Sequence, residues 1–146
     1  MNCFYGNYGY QLDAKNRMRM PSKFRADMGK EYLITLGAGG CLIVLHQQLL
    51  ETLNQKMSQL PLTDVEGSKA IRAFTAFGEN VECDEQGRFI LPQELKKYAK
   101  IDKDVRIVGA GNKVEIWSQE VWTANNKEFT IESYENALDG LSKYGI

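Results

Sequence analysis

Apolar and polar residues alternate over residues 5–12 and again over residues 17–20, and this period of two predicts two β-strands. The segment between them is rich in turn-forming side chains, so we expect the two strands to pair as the arms of a hairpin. Pro21 suits the first turn of a short helix over residues 22–28, and Gly29 provides its stop.

A second hairpin and two longer helices follow in the pattern. Residues 33–36 and 41–45 are apolar runs on either side of a glycine-rich turn, which predicts two paired strands. Leucine and methionine recur at helical spacing over residues 47–60, which predicts an amphipathic helix. Thr63 or Asp64 can then cap another helix.

The chain contains one arrangement twice. An aspartate, an arginine and a proline recur at an offset of 71 residues, as Asp13, Arg17 and Pro21 and then as Asp84, Arg88 and Pro92. Glycine-rich turns at 36–40 and 108–112 repeat at an offset of 72. This order predicts a duplication, with repeats at 1–77 and 78–146 that form one compact body of pseudo-two-fold symmetry.

The second repeat predicts the same elements as the first. We expect a hairpin around residues 84–88, a helix over 93–99, a hairpin of 105–108 with 114–117, and a helix from Ser118. Residues from about Asn136 are weakly patterned and are expected to fray. One repeat alone leaves strand edges unpaired, so strands of both halves should interleave into a small α+β barrel with flanking helices.

Composition places the chain among ordinary globular proteins, because 43% of its 146 residues are hydrophobic and 25% are charged. The longest apolar run, residues 41–45, is too short to cross a bilayer, and the first residues do not resemble a signal peptide. Three widely spaced cysteines form no C-x-x-C pair, which predicts neither disulfides nor a metal site and favours the reducing cytoplasm.

The distribution of charge points to a polyanionic partner, although the net charge is only −1. Residues 1–30 hold six basic side chains against two acidic ones, and a local basic patch matters more for nucleic acid than the global sum. The repeats have also diverged, with nine basic and six acidic residues in 1–77 against nine and thirteen in 78–146.

The basic residues cluster around the first D-x-x-x-R element. The predicted DNA contacts are Lys15, Asn16, Arg17, Arg19, Lys23 and Arg25. A basic turn followed by a helix start offers guanidinium forks for phosphates or guanine edges in a major groove. Arg19 is equally well explained as a phosphate contact or as part of a solvated face.

The aspartates and the second arginine are assigned structural roles. Asp13 and Asp84 should hold the backbone N–H groups of their turns, and Arg88 should pair with Asp84. Glu85 and Glu94 flank this second element and make it a poor anion site.

The sequence contains little that indicates enzyme activity. The glycine-rich segment 37–40 lacks the Gly-Lys-Ser/Thr that follows in phosphate-binding loops, so we interpret it as a tight turn. His46, the single histidine, has no nucleophile or second ligand in its pattern and fits a capping or core-edge role. The sequence thus predicts no catalytic residues, no metal, no cofactor and no small-molecule substrate.

The doubled motif, its spacing and the intervening segment 60–64 closely resemble the MraZ proteins of bacteria, over residues from about Tyr8 to Trp122. The resemblance implies the AbrB-like swapped-hairpin fold, a duplicated double-split β-barrel, and regulation of the division and cell-wall gene cluster. It implies binding to short direct repeats in the gene's own promoter region by a ring-shaped homo-oligomer in the cytoplasm, associated with the nucleoid.

The same resemblance implies that the first loop, D-x-K-G-R in the family, meets DNA. This chain matches at Asp13, Lys15 and Arg17, and has Asn16 where glycine is usual. Asparagine tolerates the left-handed conformation, so the loop should persist. The alternative function is a homo-oligomeric structural or protein-interaction module that does not bind DNA.

Overall fold

The computed structural model describes residues 3–126, 130–131 and 134–145. Within these ranges lie eight strands, six α-helices and one 3-10 helix. In chain order they are β1 (Asn7–Gln11), β2 (Arg17–Arg19), α1 (Ser22–Met28), β3 (Glu31–Leu36), β4 (Leu42–His46), α2 (Gln47–Met57), α3 (Val65–Ala76), β5 (Glu79–Glu82), β6 (Arg88–Ile90), α4 (Gln93–Tyr98), β7 (Asp104–Gly109), β8 (Val114–Ser118), α5 (Gln119–Asn125), α6 (Tyr134–Leu138) and the 3-10 helix (Asp139–Tyr144).

The strands form one open sheet and one short ribbon, and the fold is α+β as predicted. The six-stranded sheet has the order β1-β7-β8-β4-β3-β5, and β2 pairs with β6 as a separate two-stranded ribbon. Every one of these pairs is antiparallel. The hairpins β3–β4 and β7–β8 are confirmed, and they meet in the centre of the sheet through β4 and β8.

The hairpins predicted around the two D-x-x-x-R elements are wrong. Two backbone hydrogen bonds close the first turn, from Asp13 N to Arg17 O and from Asn16 N to Asp13 O, each at 3.0 Å, and the arms then separate. β1 joins β7 and β5 joins β3, so each of these strands completes the hairpin of the opposite repeat. This exchange covers strand edges that a local hairpin would leave unpaired.

A single core lies between the sheet, the ribbon and the two short helices α1 and α4. Its largest buried side chains include Tyr32, Phe24, Phe89 and Met20. The Tyr32 and Phe89 rings pack edge to face with centroids 5.4 Å apart. Burial of one face of the ribbon in this core fixes which ribbon side chains point to solvent.

The helix predictions vary in accuracy. α1 has the predicted bounds, and Gly29 ends it with a φ of 77°. The Asp64 carboxylate caps α3 by accepting the Gly67 N–H at 2.8 Å, whereas α2 ends before residue 60. The segment expected to fray contains the end of α6 and the 3-10 helix.

None of the helices in the described ranges is long and apolar enough to cross a bilayer.

Candidate nucleic-acid interface

The first loop, residues 13–17, is organised by one carboxylate. Asp13 Oδ1 accepts the backbone N–H groups of Lys15 at 2.8 Å and Arg17 at 2.9 Å, and Oδ2 pairs with Arg17 Nε at 2.7 Å. The N–H bond from Arg17 is the main reason that the pKa of the Asp13 carboxyl lies below its usual range. Asn16 adopts the left-handed conformation expected for it, with a φ of 59°.

The second loop, residues 84–88, repeats this geometry. Asp84 Oδ1 accepts the N–H groups of Gln86 and Arg88, each at 2.9 Å, and Oδ2 pairs with Arg88 Nε at 2.9 Å. The Arg88 N–H is likewise the main cause of a lowered pKa for the Asp84 carboxyl. Both arginines therefore hold their loops through Nε, and the terminal nitrogens of each guanidinium bond no other described residue.

The ribbon of β2 and β6 places these two arginines on one surface. In its register Arg17 faces Ile90, Met18 faces Phe89 and Arg19 faces Arg88. The central Met18–Phe89 pair is buried. Because strand side chains alternate between faces, the outer pairs point away from the core. The outer face of the ribbon consists of Arg17, Arg19, Arg88 and Ile90.

Each loop lies beside a basic side chain from the opposite repeat. Lys96 of α4 donates from Nζ to the Oδ1 of Asn16, within the first loop, at 2.8 Å. Arg25 of α1 donates from Nε to the Met20 carbonyl at 2.9 Å and lies so close to Gly87 that an added Cβ there would collide with it. Each of these two helices therefore places its basic side chain beside the loop of the other repeat, just as β1 and β5 pair with strands of the other repeat.

This exchange divides the predicted basic cluster. Lys15, Asn16 and Arg17 lie together in the first loop and Arg19 follows on the ribbon, while Arg25 lies at the second loop. Lys23 is exposed on α1.

Sequence reasoning missed Lys96, which lies beside Asn16, and missed that Arg88 shares the outer face with Arg17. The repeat offset of 71 residues could have found Lys96, because it matches Arg25.

The arrangement suits a polyanion with a groove. Along a strand Arg17 and Arg19 are roughly 7 Å apart, so the outer face spans a distance smaller than the ~12 Å width of the DNA major groove. A two-stranded ribbon can enter that groove, and guanidinium forks can bond phosphates or guanine edges there.

The cysteine and histidine side chains that could take part in catalysis or metal binding have structural roles instead. Burial raises the pKa of the Cys41 thiol to about 12, so it is protonated at neutral pH and a poor nucleophile. No cluster of potential metal ligands occurs among the residues that the structure describes. His46 is buried and caps α2, its Nδ1 accepting the Leu49 N–H at 3.1 Å.

His46 should make stability depend on pH. Burial lowers the pKa of its imidazole in the folded protein, while the unfolded value is about 6.5. The unfolded chain then binds the proton more readily, so stability is full above about pH 6.5 and falls as the pH drops below it. One proton limits this slope to about 1.4 kcal/mol per pH unit. Urea unfolding at pH 7.5, 6.5 and 5.5 measures it.

The matched variant comes from the second repeat, where Ser118 caps α5 at the equivalent position. His46→Ser keeps a capping oxygen without a titrating ring, so the slope between pH 7.5 and 5.5 should flatten even if overall stability falls. An unchanged slope would assign the pH dependence to another group.

Comparison with known proteins gives one consistent result. The sequence model of the family described as MraZ protein, antitoxin-like, matches residues 3–72 and 76–141. A protein of Carboxydothermus hydrogenoformans is 42% identical over 119 residues, covering 82% of this chain and 83% of the relative. Proteins of Clostridium tetani and Finegoldia magna are 36% and 37% identical over 98% and 95% of this chain, and over 99% and 96% of their own length. All three relatives are named Transcriptional regulator MraZ.

Proposed function

The chain belongs to the MraZ family, and from that premise we propose that it is a sequence-specific DNA-binding transcriptional regulator without catalytic activity. The observation that carries the proposal is the outer face of the ribbon, where three arginines point to solvent around one small surface. A structural module without DNA binding, the alternative, gives no reason for this concentration of guanidinium groups.

DNA binding is assigned to the ribbon and the first loop. Arg17, fixed at Nε by Asp13, offers its terminal nitrogens to a guanine edge, and Lys15 and Arg19 neutralise adjacent phosphates. Asn16 shapes the loop and positions Lys96. Lys23 supplies a further phosphate contact from α1. Arg25 acts mainly by supporting the second loop.

The fold is proposed to be the AbrB-like swapped-hairpin, double-split barrel, built from repeats 1–77 and 78–146. Two observations support it. β1 and β5 each complete the hairpin of the other repeat, and β2 and β6 pair across the repeats. The family model also matches in two segments whose division falls near residue 77.

The regulated genes and the cellular place are also part of the proposal. A member of this family is proposed to act on the division and cell-wall gene cluster and to bind short direct repeats in its own promoter region. Such a regulator works in the cytoplasm, on the nucleoid.

A DNA-binding measurement tests the function. A duplex from the region upstream of the gene should shift in a gel with the purified protein, and a scrambled duplex of equal length should not. If the five clustered basic residues of a single subunit each neutralise one phosphate, the slope of log K against log salt is roughly −4.5. Because several subunits contribute contacts, we expect a steeper slope. A shallower slope would mean that one subunit engages at a time, and no preference for the upstream duplex would refute the function.

The assembly is proposed to be a closed homo-oligomeric ring. Residues 1–77 carry a net +3 and residues 78–146 a net −4, so a contact between unlike halves of neighbouring subunits is favourable. Such heterologous contacts close into rings or continue as filaments. A ring would array the first loops side by side, which suits direct repeats about one helical turn apart. Native mass spectrometry at micromolar concentration should show one closed oligomer, whereas a monomer or an isologous dimer would contradict the ring.

A further inference from the structure

Ile90 interrupts the basic outer face of the ribbon. Its side chain is 61% exposed and faces Arg17 across the strands, with Arg88 two residues earlier on the same strand. At the repeat offset of 71 residues Ile90 corresponds to Arg19. The outer face thus has guanidinium groups at three of its four positions and a branched aliphatic side chain at the fourth.

We propose that Ile90 is a specificity-determining residue that recognises the C5 methyl group of a thymine in the major groove. The inference rests on the proposed DNA-binding function. Among the base edges exposed in that groove, thymine presents a methyl group, which an apolar side chain contacts favourably. A guanidinium at the same position would instead favour a phosphate or guanine.

The register predicts where that thymine lies. Side chains directly opposite on antiparallel strands have Cβ atoms about 4.5–5.5 Å apart, while successive base pairs are about 3.4 Å apart along the helix. Arg17 and Ile90 therefore reach neighbouring base pairs. The site should contain a thymine next to the guanine that Arg17 binds.

The exchange of Arg19 for Ile90 also gives the ribbon a direction. A ribbon with identical strands would bind one short element equally well in both orientations, because its two-fold axis interchanges the strands. Here one strand presents two guanidinium groups and the other presents one guanidinium and an aliphatic group. A single orientation on each element follows, as direct repeats require.

Two simpler explanations of an exposed isoleucine at position 90 predict other results. Isoleucine fits an exposed strand through its β-propensity alone, in which case its side chain makes no contact. It could instead pack against a second copy of the chain, in which case its loss alters the oligomer. The experiment below separates both from recognition of thymine.

The probe is a duplex enriched from a random-sequence pool by the wild-type protein, in which each thymine is replaced in turn by uracil. Uracil lacks only the methyl group. Replacement of one thymine, next to a guanine, should lower the affinity of the protein for the duplex about fourfold per contact. This factor corresponds to the loss of one buried methyl group at ~0.8 kcal/mol. Ile90→Ala should bind the thymine duplex about fourfold more weakly and should no longer distinguish thymine from uracil.

The control is Ile131→Ala, which removes an isoleucine that is 92% exposed outside the ribbon and should change neither affinity nor uracil sensitivity. Equal uracil sensitivity in wild type and Ile90→Ala overturns the inference, as does wild-type affinity in Ile90→Ala. An altered oligomeric mass of Ile90→Ala, at an unchanged melting temperature, overturns it in favour of a subunit contact. A wild-type protein that enriches no duplex refutes the proposed function itself.

Discussion

Replacing Arg17 with alanine is expected to abolish specific DNA binding in a protein that still folds. The side chain lies on the outer face of the ribbon, with only its Nε in the ion pair to Asp13. A bidentate contact to guanine contributes about 1–3 kcal/mol, or roughly 5- to 150-fold in affinity for each subunit engaged. Several subunits on one operator would multiply that loss. Fluorescence anisotropy with the upstream duplex measures it.

Arg17→Lys separates charge from geometry, because lysine retains the positive charge but lacks the planar fork. It should keep non-specific affinity at low salt and lose the preference for the upstream duplex. Unchanged preference in folded Arg17→Ala would contradict the assignment of Arg17 as the base contact.

Arg88→Ala is the matched comparison from the second repeat. Both arginines make the same contact to their aspartate, so both variants should lower the melting temperature by a similar, small amount. DNA affinity should fall less for Arg88→Ala, because Glu85 precedes Arg88 in its loop whereas Lys15 precedes Arg17. Equal losses of DNA affinity would show that the two repeats contribute alike.

Phe89→Ala is expected to cause the largest loss of stability in the ribbon. The side chain is 1% exposed, opposite Met18 and edge to face with Tyr32. Removal of a buried phenylalanine ring costs about 3–5 kcal/mol, a large part of the ~5–15 kcal/mol that stabilises a typical domain. Urea unfolding should show a clearly lower midpoint, and DNA affinity should fall with the fraction of folded protein.

The neighbouring residue provides the control. Ile90→Ala removes an aliphatic side chain from the same strand but from its outer face, so its effect on unfolding should stay within about 0.5 kcal/mol. Similar losses for both variants would mean that the ribbon does not have one buried and one exposed face.

The sequence by itself determined the features that depend on neighbouring residues. The bounds of α1 follow from Pro21 and Gly29, and the capping by Asp64 from a carboxylate that precedes an apolar helical pattern. The hairpin β3–β4 has its turn between two apolar runs. The D-x-x-x-R motif also specified its own loop, since every hydrogen bond of the Asp13 carboxylate lies within five residues. Family membership could be predicted from the spacing of these local motifs.

Only the tertiary structure decided which strands are neighbours. Alternation along β1 and β2 shows which side chains face a core, but it is the same for a local hairpin and for pairing with the other repeat. The position of Lys96 beside Asn16 and of Arg25 beside the second loop depends on that choice. The placement of Arg17 opposite Ile90 also depends on which strands pair, because the two residues are 73 positions apart in the chain and directly opposed in the ribbon. Long-range pairing is selected by burial of the whole core and by coverage of strand edges, and no short segment of sequence contains that information.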